Sequence, residues 1–335
     1  MDKSDPTPIF QLATGYWASA ALLGANEIGL FGALADGAKT ARQIAEALGS
    51  DLRATEMLLN ACAGLDLVLK QGDAYALTPV ADAFLVPGRP SYLGSALRWA
   101  QDQYTAWGEL PTSVRNGRPA VDPGRHLGGD PQQTRRFVLA MHERAQGVAR
   151  GVVPFFKLEG CRMLLDVGGG PGTYAVLLAQ QYPALHTTVL DLPEVVAIAQ
   201  ELIAQVGLSE RVTVRVGDAT QADYGEAQYD AVLFSGVLHQ MSVATIRRMF
   251  AGAHRALLVG GRVIVSDIML DATKTQPSFA ALFSLQMLLT THEGGVFSAA
   301  ECAGWLEAAG FEEVWTQHLP PPLPYTIITG SKSQV

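Results

Sequence analysis

The chain of 335 residues carries 24 Lys and Arg against 32 Asp and Glu, 24 − 32 = −8, with 48% hydrophobic and only 17% charged residues. At roughly 100–200 residues per domain this length predicts two domains with ample core. A net-negative chain without a Lys/Arg run lacks the clustered cations that bind nucleic acid or an anionic membrane face, so both are excluded as partners. The cysteines Cys62, Cys161 and Cys302 are odd in number and form no Cys-x-x-Cys pair, which fits a reducing compartment and leaves no disulfide framework. Met1-Asp2-Lys3-Ser4-Asp5 opens no secretory signal, and the uncharged stretches 6–26 and 275–292 are broken by proline and polar residues. Both read as buried helices rather than membrane spans, and the expected location is the cytoplasm.

Residues 1–100 are expected to form one small helical domain. Thr40 is placed to cap a helix that puts Ile44, Ala45 and Leu48 on one face and stops at Gly49, and Asp51 opens a second helix through Met57, Leu58 and Leu59. With the runs Leu67-Val68-Leu69 and Tyr75-Ala76-Leu77 after them, these helices predict a winged helix-turn-helix. Its second helix carries Asp51, Arg53 and Glu56, too little positive charge to read DNA, so the module is expected to dimerise. Residues 101–157 read as a helical connector rich in large side chains, among them Tyr104, Trp107, Phe137 and Met141, placed to wall an apolar pocket.

From residue 158 to 335 short aliphatic runs alternate with helical stretches. Strands are expected at 163–167, 187–190, 212–216, 231–234 and 263–265, with helices at 174–181, 195–206 and 243–257, the pattern of a doubly wound parallel sheet in an α/β domain. Two more strands, 313–317 and 325–329, flank a proline-rich turn and would close the sheet as an edge hairpin. The segment Asp166-Val167-Gly168-Gly169-Gly170-Pro171-Gly172-Thr173 lies between the first of these strands and a helix. Glycines there let the backbone turn sharply and approach a ligand. A dinucleotide fingerprint wants glycine where Thr173 stands, and Asp166 would repel a pyrophosphate. Asp191 and Asp218 end the next two strands, so three acids line one crevice. That set suits a cationic nucleoside, with Asp191 positioned for the ribose hydroxyls and S-adenosylmethionine as the obvious ligand.

These motifs, with Asp191-Leu192-Pro193, Gly217-Asp218, Phe234-Ser235-Gly236-Val237-Leu238-His239, Val263-Ile264-Val265-Ser266-Asp267 and Gly294-Gly295, resemble the small-molecule methyltransferases of the caffeic-acid and hydroxyindole O-methyltransferase type. The resemblance spans most of the chain. It implies a Rossmann-like seven-stranded domain, a homodimer made through the N-terminal module, and S-adenosylmethionine held by Asp166, Gly168, Gly170, Asp191, Leu192, Gly217, Asp218, Ala219 and Ser235. It also implies a small-molecule acceptor in a pocket lined by Tyr104, Trp107, Phe137, Met141, Arg144, Phe283 and Met287, with His239 as the base and Asp267 beside it. A histidine suits proton abstraction because its side chain titrates near neutrality.

Two departures bear on the acceptor. The family's His-Asp-Trp is here His239-Gln240-Met241, and a second acid expected after the glycine pair falls on Phe297. The loop around His292 meanwhile brings a second imidazole toward the pocket. His239, Gln240 and His292 would share one metal, zinc or iron, as in the family's α-keto acid C-methyltransferases, where chelation stabilises an enolate. The expectation therefore leans to carbon methylation, with oxygen methylation by His239 as the alternative. A non-catalytic ligand- or DNA-binding regulator on this scaffold and a dinucleotide oxidoreductase stay open beside them.

Overall fold

The computed structural model describes residues 5–321 and 323–333. The chain divides into two compact units, Met1–Gln103 and Tyr104–Val335.

The first unit contains α1 (Thr7–Thr14), α2 (Tyr16–Glu27), α3 (Leu30–Ala33), β1 (Lys39–Thr40), α4 (Ala41–Leu48), α5 (Leu52–Gly64), β2 (Val68–Gln71), β3 (Ala74–Leu77) and α6 (Pro79–Leu85). Thr40 caps α4 reciprocally: its Oγ1 accepts from Gln43 N at 3.3 Å while Gln43 Oε1 accepts from Thr40 N at 2.8 Å. Gly49 ends the helix at φ 63°, a left-handed turn that favours glycine, and Asp51 Oδ1 accepts from Ala54 N to start α5. The strands form a small antiparallel sheet in the order β1-β3-β2. Leu30, Phe31, Leu34, Ile44, Leu59 and Tyr75 make the core beneath it. The reading of residues 6–26 as buried helix needs correction. No residue of α1 is buried, and Ile9, Phe10, Leu12, Tyr16 and Trp17 are all more than half exposed, so this apolar segment finds no cover in its own unit.

The boundary between the units falls inside α7 (Gly94–Gly108), followed by α8 (Leu110–Asn116) and α9 (Pro131–Val152). Then strands and helices alternate: β4 (Met163–Val167), α10 (Thr173–Gln181), β5 (His186–Asp191), α11 (Pro193–Gln205), β6 (Val212–Val216), β7 (Tyr229–Ser235), α12 (Val243–Ala256) and β8 (Leu257–Asp267). After α13 (Ser278–Thr290) and α14 (Ala299–Ala308), β9 (Glu312–His318) and β10 (Thr326–Ser331) complete a seven-stranded sheet, β6-β5-β4-β7-β8-β10-β9. The first five strands of this order are parallel, and β10 and β9 add an antiparallel edge hairpin, as expected. The 275–292 stretch is also only partly buried: α13 tucks in Ala280, Met287 and Leu289 but leaves Phe279 and Leu282 about half exposed. No helix among the described residues is long and apolar enough to cross a membrane.

Strand alternation gives the sheet two chemically distinct faces. Leu165, Val167, Val232, Phe234, Val263 and Val265 join α12 and α14 in one core, and Leu164, Ala231, Leu233, Ile264 and Ile327 join Phe156 and Leu178 in another. The order of the strands turns back beside β4, with β5 on one side and β7 on the other, and crevices that bind ligands form at the carboxyl ends of strands around such a reversal.

Candidate active site

The glycine loop leaves β4 with Gly168, Gly170 and Gly172 all at positive φ. At Gly168 the constraint is doubled, because a Cβ would fall 2.7 Å from Val237 Cγ2. Gly169 has no such φ, but a Cβ there would lie 2.6 Å from Asp166 Cγ and 3.0 Å from Val189 Cγ1. Gly169→Ala is therefore expected to push the loop off its seat, costing about 1–3 kcal/mol of stability and weakening S-adenosylhomocysteine binding at least tenfold, as measured by thermal melts and calorimetry.

The three acids sit at the ends of adjacent strands β4, β5 and β6, but in different environments. Asp166 is fully buried and neither of its oxygens has a hydrogen-bond partner among the described residues. Burial, with a smaller contribution from the Asp191 charge, pushes its carboxyl up to about 7. Asp191 Oδ2 accepts from Gly170 N and Oδ1 from Leu192 N, both at 2.8 Å, so it fastens the loop and keeps one lone pair per oxygen for a ligand. Burial raises its carboxyl and these two backbone bonds partly offset the rise. Asp218 is exposed and used locally, accepting from Thr220 N and Thr220 Oγ1 and from Gln221 Nε2. Burial acts to raise it, but those bonds hold it below the usual carboxylate range. Leu192, Gly217 and Ala219 flank the second and third acids at the same strand ends.

An orphaned carboxylate under a loop that tolerates no Cβ fits a ligand with a positive charge held close to the backbone. These residues therefore suit S-adenosylmethionine: Asp166 for its ammonium group, Asp191 for its ribose.

His239 lies in a short turn, Leu238–Gln240, just past β7. Its Nδ1–H donates to Asp267 Oδ1 at 2.7 Å, and that acid, at the end of β8, also accepts from Ile268 N at 2.8 Å and Leu238 N at 3.2 Å. The carboxylate is thereby fixed by the backbone and fixes the imidazole through Nδ1, and Nε2 is the ring nitrogen that this pair does not engage. Phe283 of α13 meets the ring edge-on at 4.8 Å between centroids. Gly295 N donates to His239 O at 2.9 Å, and a Cβ at Gly294 would fall 2.5 Å from the same oxygen, so the glycine pair seats the turn that bears His239.

The predicted pocket residues divide. Phe283 touches His239, and Trp107 Nε1 donates to Gln286 Oε1 at 2.6 Å, one residue from the buried Met287 on the same helix. Phe137 packs on Val138, Val195 and Ile198 beside Leu192, where the apolar stripe of α9 meets α11. Tyr104 and Arg144 are exposed and Met141 is half-buried, and none is drawn to His239. The metal set is corrected too. The loop bearing His292 does reach His239 through its glycines, but the His292 side chain is exposed. Among the described residues no group of three or more His, Cys, Asp and Glu side chains gathers to hold a metal, so zinc or iron has no donor set of that kind here.

Phe297, at the position of the missing second acid, packs edge-on against Trp305 at 5.0 Å. With Met269 and Cys302 it lines a small cavity against His239 and Asp267. His239 thus has one carboxylate and an apolar wall beside it, an arrangement no local motif announces.

Residues 107–312 match the O-methyltransferase domain, and residues 10–87 match the O-methyltransferase dimerisation domain. The chain belongs to this O-methyltransferase family. It is 36% identical over 333 residues to 3-hydroxy-5-methyl-1-naphthoate 3-O-methyltransferase of Streptomyces sahachiroi, spanning 98% of this chain and 96% of that one. It is 32% identical over 313 residues to the N,N-dimethyltransferase OxyT of Streptomyces rimosus, 90% of each chain. The crystal structure of human N-acetylserotonin methyltransferase in complex with SAM superposes with a TM-score of 0.88 at 26% identity over the whole of both chains. The methyltransferase is S-adenosylmethionine-dependent, in agreement with the cleft built by Asp166, Asp191 and the glycine loop.

Proposed function

We propose that this methyltransferase transfers the methyl group of S-adenosylmethionine to a hydroxyl of a small, largely apolar acceptor, with His239 as general base. The observation that carries this reading is the His239–Asp267 pair, whose Nδ1–Oδ1 bond engages one ring nitrogen and leaves Nε2 to meet a substrate, with Phe283 edge-on to the ring. Bound S-adenosylmethionine supplies a methyl group activated by its sulfonium. His239 Nε2 takes the hydroxyl proton, Asp267 stabilises the imidazolium that results, and Phe283 and Trp107 hold the acceptor ring and keep water out. The same-family relative named as a naphthoate 3-O-methyltransferase supports oxygen over the carbon lean, and among the described residues no group of three or more His, Cys, Asp and Glu side chains supports the metal that the carbon lean needs.

The test is methyl transfer to a panel of phenols, naphthols and aromatic amines, followed by mass spectrometry, with and without a strong chelator. Activity on hydroxyls, unchanged by the chelator and reduced less than about threefold in His292→Ala, is the expected result; loss of activity with either treatment would return the metal reading, and products on nitrogen alone would move the acceptor class.

We further infer a homodimer formed through the N-terminal unit. Its exposed Ile9, Phe10, Leu12, Tyr16 and Trp17 are an apolar surface too large to leave in water, and they lie in or just before the matched dimerisation segment. His239, Asp267 and the cofactor residues all come from the second unit.

A further inference from the structure

Thr173 is where the glycine loop departs from a dinucleotide fingerprint, and its hydroxyl finds a partner on a different element. It is the first residue of α10, it is buried, and its Oγ1 lies 2.8 Å from Nδ1 of His142 in the middle of α9. One turn further along α9, Gln146 Nε2 donates to His142 Nε2 at 3.1 Å. A neutral imidazole has one donor and one acceptor nitrogen, so with Nε2 accepting, the ring proton sits on Nδ1 and is donated to Thr173. Burial lowers the tendency of His142 to take a second proton, against a smaller opposing pull from Glu143, which favours the neutral ring that this arrangement needs.

What lies directly before this bond gives it a function. Residues 168–172 are four glycines and one proline, and three of those glycines hold positive φ, so the loop has no polar side chain of its own with which to keep its shape. Glycine also has the most backbone freedom to lose when a ligand orders it. The seat of the loop is therefore set from outside. Gly168 N donates to Leu190 O and Gly170 N to Asp191 Oδ2, each at 2.8 Å, which fastens its front to β5. Its exit, Gly172, precedes α10 without a side-chain cap, and Thr173 comes next. Helix α9 is a firm anchor for that end, because Phe137 and Val138 pack on Val195 and Ile198 of α11 and Arg135 pairs with Glu201 there at 2.8 Å. We propose that His142 is a positioning residue for cofactor binding: through Thr173 it pins the exit of the glycine loop to α9, so that the loop is ordered before S-adenosylmethionine arrives. This rests on the cofactor assignment and adds to it a residue that acts through another rather than on the cofactor.

A double-mutant cycle on the full-length chain tests this, read by calorimetry with S-adenosylhomocysteine. His142→Ala and Thr173→Val are each expected to weaken binding about three- to tenfold, and the double variant no more than the larger single loss, because both remove the same bond. His142→Asn, whose amide can donate from nearly the same place as Nδ1, is expected to bind within about twofold of the parent. In steady state the KM for S-adenosylmethionine should rise in His142→Ala by the factor seen in calorimetry, while kcat at saturating cofactor stays within about twofold, a split that a general loss of packing would not give. Thr173→Val keeps the shape of its side chain, so it and His142→Asn carry the test if the alanine variant folds poorly. Losses that add in the double variant, an asparagine variant as weak as the alanine one, or single variants that bind like the parent would overturn the proposal. Parent protein that does not bind S-adenosylhomocysteine would overturn the cofactor assignment instead.

Discussion

His239→Ala lowers kcat by about 10²–10⁴ while the dissociation constant for S-adenosylhomocysteine stays within about twofold. The separation follows from geometry. His239 touches Asp267, Phe283 and the glycine-pair loop, and none of the acids that would hold the cofactor. Asp267→Asn should fall nearly as far by a different route. Asp267 accepts from His239 Nδ1, Ile268 N and Leu238 N, and an amide in its place has one oxygen for three donors. Oδ1 takes His239 Nδ1 and Ile268 N and Oδ2 takes Leu238 N, so the NH2 group faces a donor in either flip, and the negative charge that stabilises the imidazolium is lost with the carboxylate. Single-turnover rates with a competent phenol, alongside calorimetry, check both variants. A His239→Ala enzyme that keeps more than about a tenth of kcat would show that positioning alone drives transfer and would remove the general-base role.

Asp166→Asn is the second large effect, and its sign is opposite for stability and for binding. The folded carboxyl titrates at about 7 against 3.8 for the unperturbed group, so it ionises more readily in the unfolded chain. The stability it contributes is full below about pH 4 and is lost as the pH rises toward and through 7. A carboxyl raised from 3.8 to about 7 forfeits at most about 4 kcal/mol in this way, and the asparagine variant escapes that loss. Unliganded Asp166→Asn should therefore melt several degrees above the parent at pH 8 and together with it near pH 4. Binding reverses the order: the α-ammonium needs the carboxylate, so the variant weakens S-adenosylhomocysteine by about 10- to 100-fold. In the parent, binding near pH 7 also forces Asp166 to ionise and releases up to about half a proton, visible as a dependence of the calorimetric enthalpy on the buffer; the variant releases none. A variant no more stable than the parent at pH 8 would show that the buried acid is neutralised by something other than the cofactor.

Much of the fold is legible in the chain because its signals are local. Thr40 and Gly49 bound their helix by capping chemistry, and the aliphatic runs 163–167 and 212–216 are strands with the expected ends. The strands at 186–191, 229–235 and 257–267 run longer than expected, since Asp, Tyr, Ser, Gly and Arg at their ends carry no strand pattern but are held by pairing to neighbours. The glycine loop and the three strand-end acids are equally plain, because the covalent order of strand, glycines and helix dictates where they lie.

Residue order alone thus specifies a parallel α/β sheet, its loop and a charged crevice for a cationic nucleoside. What each acid does depends on packing in three dimensions: Asp166 is buried and orphaned, Asp191 bound to the loop, Asp218 turned to Thr220. Packing also leaves the His292 side chain exposed, sets Phe137 against α11 and sets Phe297 on Trp305, arrangements that no periodicity encodes. Register sets the same limit. Asp166, Ser235 and Ser266 stand near the ends of three aliphatic strands, and only register puts them on one face, because a shift of one residue would turn any of them to the opposite face.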